Sequence, residues 1–344
     1  MRTEPRLLIS QSGSPYENLA IEKYVTEHVR RGERVLFLWQ NSDTIVIGRN
    51  QNCWRECRVS EFLESGGRIA RRLSGGGAVY HDGGNLNFSF IAPDDEWTAS
   101  DGIEVMAAAC ASFGINATPS GRNDLLANGA KFSGNAFYST ASEDGITGYC
   151  HHGCILIAAD TERMSRFLNV SKEKLRSKGV ASVRSRVVNL ASISEGLTSE
   201  LFGAALVGAF ESKCGGPADE YIISAEARKE IEASARYLSS DEWIFGRKID
   251  FTDSFGGRFP WGEIELCFKV SAGKICQCRI YSDCMDASLT DALENALCGL
   301  HFSADEMIRS LHPVLLQGES SPRTFAPDIS DVKKDIASLL IKNI

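Results

Sequence analysis

Arg71–Phe90, RRLSGGGAVYHDGGNLNFSF, decides how this chain is to be read. Two arginines, a serine, three successive glycines, a His-Asp pair and a second Gly-Gly fall within it. Three glycines in a row are costly inside a helix or strand, because glycine loses more backbone entropy on folding than any other residue. They suit a turn whose N–H groups must approach a ligand, and successive N–H groups in a tight turn make an anion-binding concavity. Arg71 and Arg72 stand just before it and can add charge-assisted hydrogen bonds. After the loop, Leu86, Phe88 and Phe90 alternate with Asn87 and Ser89, which predicts a half-buried strand. The unit is glycine loop, short strand, turn, strand. A P-loop is excluded, because Ala78-Val79-Tyr80 stands where Lys-Ser or Lys-Thr would open a helix. A dinucleotide fingerprint is excluded as well, since no helical period follows Gly77. An ordinary glycine-rich surface turn is the competing reading of composition alone.

Two further blocks carry the same kind of information. GRNDLLANGAKFSGNAFY runs from Gly121 to Tyr138, and GVASVRSRVVNL from Gly179 to Leu190. Lys131 lies among small residues in the first of them, not in a solvated charge run. Together the three blocks resemble the signature of lipoate–protein ligases. The opening RLLISQSGSPYENLAIEKYV (Arg6–Val25) and the later WGEIELCFKV (Trp261–Val270) look like this family too, and the match runs in order over essentially the whole chain. The form it resembles is the two-domain bacterial ligase that uses free lipoate.

That resemblance implies an α+β protein. A large catalytic domain, residues 1–247, would have mixed and antiparallel sheets of the biotin/lipoate protein ligase type, similar to class II synthetases. A small α+β accessory domain would occupy 250–344. It implies Lys131 as the catalytic residue and the contact to lipoate. Arg72, Gly77, Ala78, Val79, Tyr80 and Lys131 would bind ATP and the adenylate, with Ser74, Gly75, Gly76, His81, Asn123, Asp124, Ser182 and Arg184 as further candidates. Asn123 and Asp124 read equally well as a turn bonding its own backbone. No metal ligands are assigned from the protein. ATP, Mg²⁺ and (R)-lipoate are the implied small molecules. The implied transient partners are the lipoyl domains of 2-oxoacid dehydrogenases and the glycine-cleavage H protein, met by a monomer in the cytoplasm.

Composition agrees. A chain of 344 residues can hold two domains, each with a sizeable core. The formal charge of −8 argues against a general nucleic-acid binder. The start, MRTEPRLLIS, has no apolar core of signal-peptide length, and VLFLW and ILIAA are far too short to span a bilayer. Eleven cysteines without a secretion signal suggest free thiols in a reducing compartment.

Along the chain, residues 6–10 read as a strand and Pro15–Arg31 as a helix with Ala20, Ile21, Tyr24, Val25 and Val29 on its stripe. RVLFLWQ and TIVIGR flank Asn41-Ser42-Asp43 and predict a hairpin. Residues 101–116, 197–211 and 220–238 read as helices. Cys150-His151-His152-Gly153-Cys154 suggests a metal, but on a strand neighbouring side chains point to opposite faces. Tetrahedral sites also draw on separated turns, so the segment reads as a core strand. From Arg163 to Arg186, eight basic residues face the single Glu173. Such a segment can steer ATP and an acidic acceptor to an otherwise acidic protein. Its part from Ser177 to Arg186 has little apolar surface and is expected to close over a bound intermediate. GRKIDFTDSFGGRFPWG, from Gly246 to Gly262, reads as a linker.

The chemistry suits these residues. A carboxylic acid does not acylate an amine at neutral pH, because hydroxide is a poor leaving group. Adenylation solves this, and each step develops negative charge on oxygen, so fixed donors and cations are needed where it appears. His81 and Asp82 are expected to support the loop, since lipoate is already ionised. An octanoyltransferase that takes its acyl group from a carrier protein, or a non-catalytic lipoate-binding protein, are the alternatives. The transferase uses a cysteine nucleophile, and none lies in the glycine loop or beside Lys131.

Overall fold

A computed structural model describes residues 3–121, 123–141, 145–169, 187–247, 249–317 and 328–344. The chain forms two compact units. One comprises Met1–Ile47, Trp54–Arg71 and Ala78–Ser240, and the other Gly48–Cys53, Arg72–Gly77 and Asp241–Ile344.

The first unit is built on an eight-stranded mixed sheet. Its strands are β1 (Glu4–Ile9), β2 (Glu33–Trp39), β6 (Asn85–Pro93), β7 (Ala117–Ser120), β8 (Asp124–Ala127), β9 (Ala130–Ala141), β10 (Thr147–Leu156) and β11 (Asp219–Glu220). They lie in the order β11-β1-β2-β6-β10-β9-β8-β7. The pairings of β1 are parallel, and the run from β2 to β7 is antiparallel. A smaller sheet holds β3 (Thr44–Ile47) between β4 (Arg68–Arg71) and β5 (Val79–His81).

The expected hairpin of β2 and β3 does not form. Both edges of β2 are already paired, with β1 and with β6, so β3 has no edge to join and goes to the second sheet. Asn18 helps to fix the bend, donating from Nδ2 to the Gln40 carbonyl at 3.0 Å and to Asn41 Oδ1 at 3.1 Å.

One face of the large sheet carries the apolar core. Leu36, Leu86, Phe88, Phe90 and Ile155 pack there with Phe132 and with the helices α4 (Ala99–Ala111) and α6 (Ser199–Cys214). Thr98 and Asp101 close a capping box at the start of α4, which satisfies two backbone donors the helix would otherwise leave open. The other face meets α1 (Pro15–His28). β6 keeps its period of two, yet all nine of its residues are buried, because α1 covers the polar side that was expected to meet solvent. That side is a hydrogen-bonded layer. Trp39 Nε1 donates to Ser89 Oγ at 3.2 Å, and Ser89 Oγ donates to Glu22 at 2.5 Å.

In the second unit an antiparallel sheet of β12 (Asp253–Phe259), β13 (Gly262–Ser271) and β14 (Lys274–Ser282) packs with the helices Ala287–Leu297, Ala304–Gln317 and Ile329–Asn343. The second half of the segment expected to be a linker holds β12. Its glycines belong to the ladder: a Cβ on Gly256 would sit 2.4 Å from the Ile264 carbonyl oxygen. A glycine-rich edge strand that admits a close backbone mimics a linker in composition. The turn between β13 and β14 puts Ala272 and Gly273 at φ 49° and 75°, the left-handed pair of a tight hairpin turn.

Candidate active site

The glycine loop belongs to the second unit, and two of its three glycines are fixed by packing or backbone conformation. A Cβ on Gly75 would meet the Cys284 carbonyl oxygen at 2.2 Å, so this position is set by packing. Gly76 has φ 88°, which an L side chain rarely adopts, and its N–H points at the Cys284 carbonyl at 3.3 Å. Gly77 has nothing within 4 Å of an added Cβ. Arg72 folds back over the loop. Its Nε donates to Ser74 Oγ at 3.0 Å, and its Nη2 donates to the carbonyls of Gly75 and Gly77 at 2.6 and 2.8 Å. Gly48–Cys53 completes the frame. Arg49 N donates to the Ser74 carbonyl at 2.9 Å, and Asn50 Nδ2 donates to the Ala287 carbonyl at 2.7 Å. Arg49 also pairs with Asp291 at 2.9 Å. The cationic side chain and the three glycines are thus held as one preformed turn.

Val79, Tyr80 and His81 form β5 of the first unit, with Ala78 just before it. Tyr80 donates its hydroxyl to Asp43 Oδ1 at 3.0 Å. Burial, then Asp43, pushes the Tyr80 phenol well above its usual range. Burial also pushes Asp43 up, but hydrogen bonds from Arg163 and Tyr80 outweigh it and hold the carboxylate low. Arg163 is therefore engaged in an ion pair with Asp43, which limits its part in steering. His81 Nδ1 lies 3.2 Å from Asn41 Nδ2, and Asn41 Oδ1 already accepts from Asn18. Asp82 accepts the N–H groups of Gly84 and Asp160, each at 2.8 Å, as a turn-forming residue.

Lys131 begins β9. Its Nζ is 2.6 Å from Asp124 Oδ1, with both side chains about one-third exposed (34% and 37%). The same nitrogen would be 2.9 Å from a Cβ on Gly134, so the ammonium lies over that glycine. Val188 N donates to the Lys131 carbonyl at 2.8 Å, which ties the end of the third sequence block to this strand. Asn123 has the backbone role. Its Nδ2 donates to the Asn135 carbonyl at 2.6 Å, and its own carbonyl accepts from Asn135. Ser182, Arg184 and the rest of the segment expected to close over the site lie outside the described residues.

On the face of the sheet that meets α1, several polar groups went unnoticed in the sequence. Asn18, Glu22 and Thr26 recur every four residues on α1 and are fully buried. That spacing puts them on one stripe and was the available signal. Glu22 takes hydrogen bonds from Ser89 and from His152 Nδ1, the latter at 2.8 Å. His151 and His152 do point to opposite faces of β10. Cys150 and His152, however, share one with Glu22, and their donor atoms lie within 4.8 Å of one another. Burial, then the Glu22 charge, pushes the Cys150 thiol well up, so the cluster reads as a hydrogen-bonded support. None of the eleven cysteines is in a disulfide.

The chain thus comprises an α+β unit built on a mixed sheet and a smaller α+β unit built on an antiparallel one. Residues 14–211 match the Lipoyl protein ligase A/B catalytic domain, and residues 248–326 match the Bacterial lipoate protein ligase C-terminus. The chain belongs to the lipoyl protein ligase A/B family. Among solved structures it is similar to LipL1 of P. falciparum in complex with lipoate, at 27% identity and TM-score 0.80, over 98% of this chain and 99% of that one. A bi-partite lipoate protein ligase from Thermoplasma acidophilum, solved in a study with its E2 lipoyl domain, matches at 24% identity and TM-score 0.61. That match spans 73% of this chain and 100% of the relative. A lipoate-protein ligase A bound with ATP matches at 24% and TM-score 0.60, over 71% and 99%. The last two likenesses concern the fold alone.

Proposed function

We propose that the protein is an ATP-dependent lipoate–protein ligase. The lipoate carboxylate attacks the α-phosphate of ATP, supplied as its magnesium complex, and expels pyrophosphate. The ε-amine of an acceptor lysine then attacks the acyl carbon of lipoyl-AMP and expels AMP, leaving an amide. Acceptors are lipoyl domains and the glycine-cleavage H protein. Residues 1–247 carry the chemistry and 250–344 are accessory.

One observation carries the choice of ligase over acyltransferase: the chain matches a lipoate-ligase C-terminus after the catalytic match that ligases and transferases share. The site supports it. Lys131 needs to exchange only Asp124 for the substrate carboxylate and α-phosphate, and its partial exposure leaves room for them. Arg72, Gly77, Ala78, Val79 and Tyr80 are assigned to the nucleotide, with Ser74, Gly75, Gly76 and His81 shaping the turn around them. The preformed turn lowers the cost of ordering donors around a charged transition state. Strands 35–48 and 86–90 line the way for the alkyl chain.

The experiment is to incubate the protein with lipoate, MgATP and an unmodified lipoyl domain. A lipoyl adduct on one acceptor lysine, with AMP released, is expected. Modification that proceeds without ATP from an acyl-carrier thioester would establish the transferase instead.

A further inference from the structure

Gly134, Cys154, Asn87 and Trp39 are successive partners across β9, β10, β6 and β2. Residues directly opposite one another project from the same face of a sheet. The ammonium of Lys131 lies over Gly134, so it stands at one end of this row, on the face that meets α1. Asn87 stands two strands away, at about 10 Å for strands about 4.8 Å apart. Its carboxamide is fully buried, and among the described residues neither its oxygen nor its nitrogen has a hydrogen-bond partner. A buried amide in that condition is unfavourable until something fills it. Its neighbour Ser89, on the same face, is by contrast already engaged with Trp39 and Glu22.

On the reading proposed above, an eight-carbon acid matches this row in length. Extended, it spans about 9 Å, given carbon–carbon bonds of about 1.5 Å in a zigzag. With its carboxylate at Lys131, its far end reaches Asn87 and the indole of Trp39. We infer that Asn87 is a specificity-determining residue. Its amide engages the dithiolane sulfurs of lipoate and disfavours saturated acids of the same length. Divalent sulfur accepts a hydrogen bond weakly, and an alkyl terminus accepts none. Octanoate therefore leaves both polar groups of the amide unmet on a face its chain has dried. Sites built around a polar contact reject analogues that lack it by this means.

The test compares lipoate with octanoate in the full-length protein, in the native chain and in Asn87→Leu. Acid-dependent pyrophosphate–ATP exchange gives kcat/KM, and calorimetry gives Kd for each acid. The lipoate-to-octanoate ratio is expected to favour lipoate in the native chain and to fall about tenfold in the variant, the scale of one buried hydrogen bond. Asn87→Ser, which keeps a donor, is expected to hold most of the preference. It also replaces the leucine variant if that one does not fold, with Asn87→Ala as its apolar partner. An unchanged ratio, whether both acids hold or both weaken together, overturns the inference. Absence of exchange with either acid would instead count against the ligase reading, and the binding ratio would still decide the role of Asn87.

Discussion

Lys131 shows how far single residues can be read. Its small neighbours marked it out, and the structure adds why they are small: Gly134 makes room for the ammonium, and Asp124 holds it in place at 2.6 Å. Lys131→Ala should lower lipoyl-adenylate formation about a hundredfold or more, with the circular-dichroism spectrum unchanged. Adenylate formed at the native rate would remove Lys131 from the chemistry. The glycine loop was legible as a special turn, but not the separate task of each glycine, because close packing against Cys284 is invisible in one sequence. Gly75→Ala forces a methyl against that carbonyl and should destabilise the fold by about 1–3 kcal/mol, whereas Gly77→Ala should melt like the native protein. Equal melting temperatures for the two variants would refute this division. Asn87 and Glu22 escaped notice because polar residues on an amphipathic strand or helix are ordinarily assigned to solvent.

At the level of elements, periodicity located most strands and helices, and what it missed was partnership. It showed β2 and β3 as adjacent strands but not that both edges of β2 were taken. Composition makes Gly246–Gly262 read as a linker, because glycine in an edge strand carries the same mark. β10 also has a consequence for pH. Burial, with a smaller push from His152, lowers His151 from its ordinary 6.5 to about 3. The folded state then binds this proton less readily than the unfolded chain. The contribution to stability is intact above pH 6.5 and lost as pH falls from there toward 3. His151→Gln cannot take up the proton, so its stability should approach or overtake the native value between pH 7.5 and about pH 4.5. Denaturant midpoints at the two values measure this, and a constant gap between the proteins would show that His151 does not drive the acid sensitivity.

For the molecule as a whole, the family blocks made the two-part organisation readable, while the assignment of loops to units needed coordinates. Gly48–Cys53 and Arg72–Gly77 cluster with Asp241–Ile344, far away in sequence. A chain cut after Arg247 would lose Ser282, Cys284, Ala287 and Asp291, which hold those loops. The shortened protein should therefore keep its core β-sheet signal in circular dichroism and show at least a tenfold weaker response to ATP, the loss of about one buried polar contact. Undiminished ATP affinity would mean that ATP binding is independent of the C-terminal residues. The central claim is activation of a free acid by ATP, and exchange of labelled pyrophosphate into ATP tests it most directly. The account predicts exchange that requires lipoate and Mg²⁺, needs no acceptor protein and disappears in Lys131→Ala. No lipoate-dependent exchange in folded native protein, or undiminished exchange in Lys131→Ala, would contradict it.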